Sequence, residues 1–203
     1  MKRIFFLCIA ILLSCHMSIG ICLASKPIDE IRESMSKDYN TASPKLSVKQ
    51  IAIGQISLFD NTSKVESILG QPDEKNSFKS DNGYSASNLQ VYFYHKQHLV
   101  ICFDDFDKVS AVHFSPTSKD DSTLKTPDGI GAGSTKYDVI STYGKEPFLD
   151  RNKQMESKVD ANIMSIVEGN SYTYRAEDDA YFYLISFTWD KDDIVTNISI
   201  FHW

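Results

Sequence analysis

Along the chain, apolar and polar positions change their period several times. Residues Ile4 to Leu13 form an apolar run without a charge. It is too short to cross a bilayer, which takes about 20 apolar residues. Residues 25–50 are polar and weakly patterned. Within them Pro27, Ile28, Ile31 and Met35 predict one short amphipathic helix, with Asn40 to Pro44 as linker. Beyond residue 50 the pattern alternates between brief helical stretches and runs rich in β-branched and aromatic residues.

The helical stretches match each other. Asn61, Val65 and Gly70 align with Thr135, Val139 and Gly144 at a constant spacing of 74 residues. Asn61 and Thr135 suit the N-cap, and Asp138 three residues after Thr135 suggests a capping box. The glycines suit the C-terminal cap, with Pro72 and Pro147 just beyond. Three predicted strands follow each helix. Leu89 to Tyr94 matches Ser171 to Tyr174, His98 to Phe103 matches Leu184 to Trp189, and Val109 to Phe114 matches Val195 to Ile200.

These elements predict an α+β fold of two tandem helix-plus-antiparallel-sheet units, α-β-β-β repeats with the helices on one face of the sheet. Unit 1 covers residues 51–118 and unit 2 covers 125–203. A unit of this size has a marginal core, so the two are expected to pack together or continue one sheet. Strand alternation places Ile101, Phe103, Val112 and Phe114 in the core, with counterparts Phe187, Trp189, Ile198 and Ile200.

Lys2 and Arg3 before the first apolar run, and Cys22-Leu23-Ala24 before Ser25, predict a signal peptide over residues 1–24, cut after Ala24. The protein is then exported, either secreted or held in the cell envelope. Leu12-Leu13-Ser14-Cys15 loosely resembles a lipobox, and lipidation of Cys15 is the alternative. The full chain carries 21 basic and 27 acidic residues, a net charge of −6, and cleavage removes two basic residues and no acidic one. An acidic chain is a poor binder of nucleic acid, since phosphate neutralisation needs clustered lysine and arginine. Of the four cysteines, Cys8, Cys15 and Cys22 lie in the signal segment. Cys102 alone cannot form an internal disulfide, so packing must hold the domain.

The pattern Gly-x-(Ser/Thr)-x-x-x-Val-x-x-x-Leu-Gly-x-Pro, with an Asp-rich turn before the last strand, resembles the BamE/SmpA-like superfamily. In tandem form it resembles the β-lactamase-inhibitory proteins and related secreted proteins of bacteria. Gly133, Thr135, Val139, Gly144 and Pro147 carry it in the second pass. Val65, Leu69, Gly70 and Pro72 carry it in the first, where Phe59 stands at the glycine position. The resemblance implies protein binding or an envelope role without catalysis, through aromatic side chains on the open sheet face. On this chain that points to Tyr92, Tyr94, Tyr172 and Tyr174 as partner-binding candidates, within a group that also holds Tyr181 and Tyr183. Tyrosine suits interfaces, with a large apolar body and a polar tip, although one aromatic face could equally pack under the helices.

Other constellations have plain structural readings. His95 and His98 fall in a predicted hairpin loop with no further ligands in view, and a metal site needs several. Asp104, Asp105 and Asp107 lack the EF-hand spacing and match Asp190, Asp192 and Asp193 as turn residues. Cys102 with His113 as base has no supporting signature and suits an apolar strand. Gly129-Ile130-Gly131-Ala132-Gly133 lacks the lysine of a P-loop and reads as the turn into a helix. The expected protein is therefore non-enzymatic, without metal or cofactor, and binds another protein. A small hydrolase or metal protein would instead need His95, His98 or His113 to converge with acidic groups.

Overall fold

The computed structural model describes residue 40 and residues 43–81, 86–116, 123–150 and 170–202, with side chains at all of these except 79–81 and 86–88. The expected signal segment, Cys15, the helix over 28–35 and most of the connection after Asp150 lie outside the described residues.

Helix α1, Thr62–Leu69, starts where the Asn61 side chain accepts from the Lys64 amide at 2.8 Å. Helix α2, Lys136–Tyr143, starts with a full capping box: Thr135 accepts from the Asp138 amide, and Asp138 accepts from the Thr135 amide at 2.7 Å. Each capped donor removes one orphan amide of the first turn. Both helices close on glycine at positive φ, 81° at Gly70 and 102° at Gly144, a region that side chains disfavour. Val65, Val139 and Tyr143 are the buried helical residues.

In chain order the strands are β1 (Lys45–Leu46), β2 (Ala52–Ile53), β3 (Ile56–Ser57), β4 (Glu74–Asp81), β5 (Ala86–Tyr94), β6 (Leu99–Phe103), β7 (Val109–Phe114), β8 (Leu149–Asp150), β9 (Asn170–Glu177), β10 (Phe182–Trp189) and β11 (Val195–His202). β2 and β3 form a small hairpin. The others form one nine-stranded sheet in the order β1-β9-β10-β11-β7-β6-β5-β4, with β8 also on β9. β1 runs parallel to β9, which makes the sheet mixed.

This corrects the expected fold class. The molecule is mostly β, one large mixed sheet with two α-helices among the described residues, rather than two helix-plus-sheet repeat units. Pairing of β7 with β11, from Ile198↔Phe114 to Phe201↔Ala111, makes the sheet continuous. A separate strand set would leave a row of unpaired amides at each of its edges, and joining them hides two such edges. The strand count after the first helix is also corrected, because β4 precedes the expected three.

One core lies between the sheet and the helices. It takes in all eight residues expected there, together with Ile51, Ile53 and Ile56 from the hairpin and Val65, Val139 and Tyr143 from the helices. The turns before β7 and β11 share one geometry. Asp104 Oδ1 accepts from the Phe106 and Lys108 amides, and Asp190 Oδ1 from the Asp192 and Ile194 amides. Asp107 and Asp193 follow at φ 60° and 59°. This is a type I turn closed by a left-handed residue, which explains the aspartates without a bound cation.

Candidate functional site: the sheet face opposite the helices

The four candidate tyrosines lie on the wrong side for an open-face contact. Tyr92, Tyr94 and Tyr174 are 6%, 1% and 0% exposed, and Tyr172 is half-buried. All sit beneath the helices, and each has structural work there. Tyr94 Oη donates to the Gly70 carbonyl at 3.2 Å, and Tyr174 Oη to the Gly144 carbonyl at 2.9 Å, so each ties a helix end to the sheet. Lys75 Nζ lies 4.6 Å from the Tyr92 ring centre and Lys136 Nζ 5.4 Å from that of Tyr172, distances suited to cation–π attraction. Burial pushes the Tyr94 hydroxyl up to about 12 and raises those of Tyr174 and Tyr172.

The other candidates fall apart spatially. His95 and His98 occupy the turn between β5 and β6, with the His95 amide donating to Asp73 at 2.7 Å and His98 at φ 54°. Among the described residues no group of three or more His, Cys, Asp or Glu is placed to hold a metal ion. Four of the five amides in the glycine-rich turn are already committed. Gly129 donates to the Thr126 carbonyl, Ile130 to Thr126 Oγ1, Gly131 to Ser134 Oγ and Gly133 to the Val195 carbonyl. Gly131 is needed because a Cβ there would meet the Leu124 carbonyl at 2.9 Å.

The face opposite the helices carries the residues that alternate with the core. On β4 to β6 it is apolar: Leu89, Val91, Phe93 and Cys102 are buried together, with Phe78, Val100 and Ala111 against them. On β7, β11, β10 and β9 it is mixed, with a polar row beside the paired residues Ala111, Phe201 and Leu184. His113, Ser199, Ser186 and Thr173 are direct cross-strand partners in a row. His113 Nδ1 and Ser199 Oγ share a hydrogen bond at 2.8 Å, and Thr173 Oγ1 donates to Ser186 Oγ at 3.2 Å. The signal for this row was present in the sequence as single small polar residues interleaved in apolar strands, such as Ser199 between Ile198 and Ile200.

A serine beside a histidine invites comparison with a nucleophile and its base. The arrangement does not suit that chemistry. Burial lowers the His113 imidazole to about 4, too weak a base for proton abstraction at neutral pH. Strand amides at these positions serve the ladder, so they are not free to hold an oxyanion. Cys102 is buried in the apolar cluster of β5 and β6, as its place in an apolar strand leads one to expect, and the described hydrogen bond of His113 goes to Ser199.

The same shift makes stability depend on pH. The folded value lies below the ordinary 6.5, so the unfolded chain binds the proton more readily between pH 4 and 6.5. His113 therefore contributes fully above pH 6.5, and its contribution is lost as pH falls toward 4. Its cross-strand partners Val100 and Ser199 carry no charge to offset this. The residue as a whole is half-buried, so the expected loss is about 2–3 kcal/mol. Urea midpoints measured from pH 7 to pH 4 should fall, and His113→Gln should flatten the profile.

A second cluster went unread. Phe59 adopts φ 64° where its aligned counterpart Gly133 has φ 86°. Its ring centre is 4.6 Å from that of His202, 4.8 Å from Tyr181 and 5.9 Å from Tyr183. A phenylalanine in this region costs on the order of 1–2 kcal/mol of backbone strain. Here the ring's contacts with the β9–β10 turn and the ends of β10 and β11 offset that strain. Tyr183 Oη donates to Asp178, which holds that carboxyl below its usual range.

No helix among the described residues is long and apolar enough to cross a membrane. Compared with known proteins, the chain matches no protein-family model, no curated protein and no solved structure.

Proposed function

We propose that this is an exported, non-enzymatic protein-binding module that contacts its partner through the sheet face opposite the helices. The observation that carries the reading is the row His113–Ser199–Ser186, with Val100, Ala111 and Phe201 beside it, all half-buried on adjacent strands. Hydroxyls, one imidazole and one aromatic ring spread over a broad face suit contact with another protein surface, where hydrogen bonds accompany apolar area. The net charge of −6 argues against a nucleic-acid partner.

The test is co-purification from the native source with wild-type protein, with Ser199→Lys and Phe201→Arg, and with Tyr137→Arg on α2. Circular dichroism checks that each variant is folded. The face variants should lose the co-purifying partner while the helix variant keeps it. Retention by both face variants, with loss in Tyr137→Arg, would sink the reading.

A second reading, an envelope lipoprotein with a structural or assembly role, is favoured by Leu12-Leu13-Ser14-Cys15. Mass spectrometry of the mature N-terminus separates the two. A chain beginning at Ser25 fits the secreted form, and a diacylated Cys15 fits the anchored one.

A further inference from the structure

The two ends of the sheet are treated differently. At one, β9 has its outer side occupied by two short strands running in opposite directions, Lys45–Leu46 parallel to Arg175–Ala176 and Leu149–Asp150 antiparallel to Thr173–Tyr172. Such interrupted cover blocks the approach of a further strand. At the other end, β4 pairs with β5 from Glu74↔Phe93 to Asp81↔Ala86, and no strand lies beyond it among the described residues. Alternate residues of such an edge point amide and carbonyl outward, a template for one more strand. Charged residues on an edge ordinarily deter that pairing. β4 carries Glu74, Lys75, Lys79 and Asp81, so their spacing decides which strand the edge can accept.

We propose that β4 pairs antiparallel with β4 of a second copy of this chain, joining two sheets about a two-fold axis at Phe78. Residues directly opposite in an antiparallel pair turn their main-chain groups alike, both toward each other or both away. A strand meeting its own copy is therefore limited to registers centred on a residue. Centred on Phe78, the register sets Lys75 opposite Asp81 at both ends, with Asn76 opposite Ser80 and Ser77 opposite Lys79. No like charges face each other. Centred on Ser77, it sets Lys75 opposite Lys79 twice, and centred on Lys79 it sets that lysine against itself. Opposite charges directly across a strand pair favour it and like charges oppose it. The charges that deter other strands thus select this one. The two faces agree with the register. Phe78 pairs with Leu89 and packs, half-buried, against the apolar cluster of Leu89, Val91, Phe93 and Cys102, away from the helices. The two-fold axis stands perpendicular to the sheet, so both copies' clusters fall on one side and the two Phe78 rings meet between them. That removes more aromatic surface from water. On the helix side, Lys75 Nζ meets Glu66 at 2.7 Å while its side chain stays 47% exposed. An ammonium has three donors, so it can keep Glu66 and also meet Asp81 of the second copy. The edge is distinct from the His113–Ser199 face, and the proposal does not depend on that face being used.

One edge buries less surface than a stable interface needs, so the intact protein is studied by sedimentation equilibrium from about 10 μM to about 1 mM. The wild-type protein should pass from monomer to dimer. Hydrogen exchange read residue by residue should show protection of β4 amides that rises with protein concentration. Asp81→Lys and Lys75→Asp should each weaken self-association about tenfold, because each sets like charges opposite at both ends. An equimolar mixture of these two variants should regain the wild-type association, since opposite charges then face each other at both ends. Phe78→Lys should abolish the dimer, and Phe201→Arg on the opposite face should leave it unchanged. Circular dichroism checks that each variant is folded. A wild-type protein that stays monomeric at the highest concentration overturns the proposal. So does a dimer whose β4 amides gain no protection, one that Asp81→Lys leaves as tight as before, or a mixture that associates no better than its components.

Discussion

Replacing Tyr174 with alanine should cost about 3–5 kcal/mol of stability, the range for removing a buried aromatic side chain. Its ring packs 5.4 Å from Tyr143 and 6.3 Å, edge-on, from Phe187. Tyr174→Phe keeps those contacts and removes one bond, the donation to the Gly144 carbonyl. That carbonyl belongs to the cap of α2, and leaving it without a buried donor should cost about 1–2 kcal/mol. Burial raises the hydroxyl's pKa, so it stays a neutral donor across the working pH range. Denaturant midpoints on the three proteins measure both differences. If Tyr174 were instead a surface contact residue, the alanine variant would change stability by less than about 0.5 kcal/mol.

The tyrosines lie on the helix side for a local reason. Tyr92 is the cross-strand partner of Ile101, and Tyr172 of Phe187. Directly paired residues share a face, since the side-chain period of a strand is two. Placing Ile101 and Phe187 in the core therefore commits Tyr92 and Tyr172 to the same side. Only the register was missing, and it depends on the four-residue turn His95–His98 and the turn before Phe182. The caps were legible because they rest on single residues with one physical reason each: a side-chain acceptor at Asn61 and Thr135, a positive φ at Gly70 and Gly144. β4 was not legible. Only Phe78 among its eight residues is apolar, since an edge strand has no second partner to bury against. The Phe59 cluster could have been suspected from an aromatic standing where the repeat has glycine, but its ring partners lie more than 120 residues away in sequence.

Phe114→Ala tests whether the sheet unfolds as one body. Phe114 is fully buried and lies on the seam, paired with Leu99 on β6 and with Ile198 on β11. Its truncation removes packing from both sides of that seam, and about 3–5 kcal/mol should be lost. That is a large share of the 5–15 kcal/mol typical of a whole domain. Trp189 on β10 is a probe far along the chain from the change, once Trp203→Phe removes the other indole. In one continuous sheet, Trp189 fluorescence and far-ultraviolet circular dichroism should shift together to the same lower midpoint. Neither edge at the seam could stay stable alone, because separation would expose the β7–β11 ladder and the apolar pairs above it. Two independent bodies would behave otherwise: the dichroism would split into two steps, and Trp189 would keep its wild-type midpoint while β4 to β7 unfolded early.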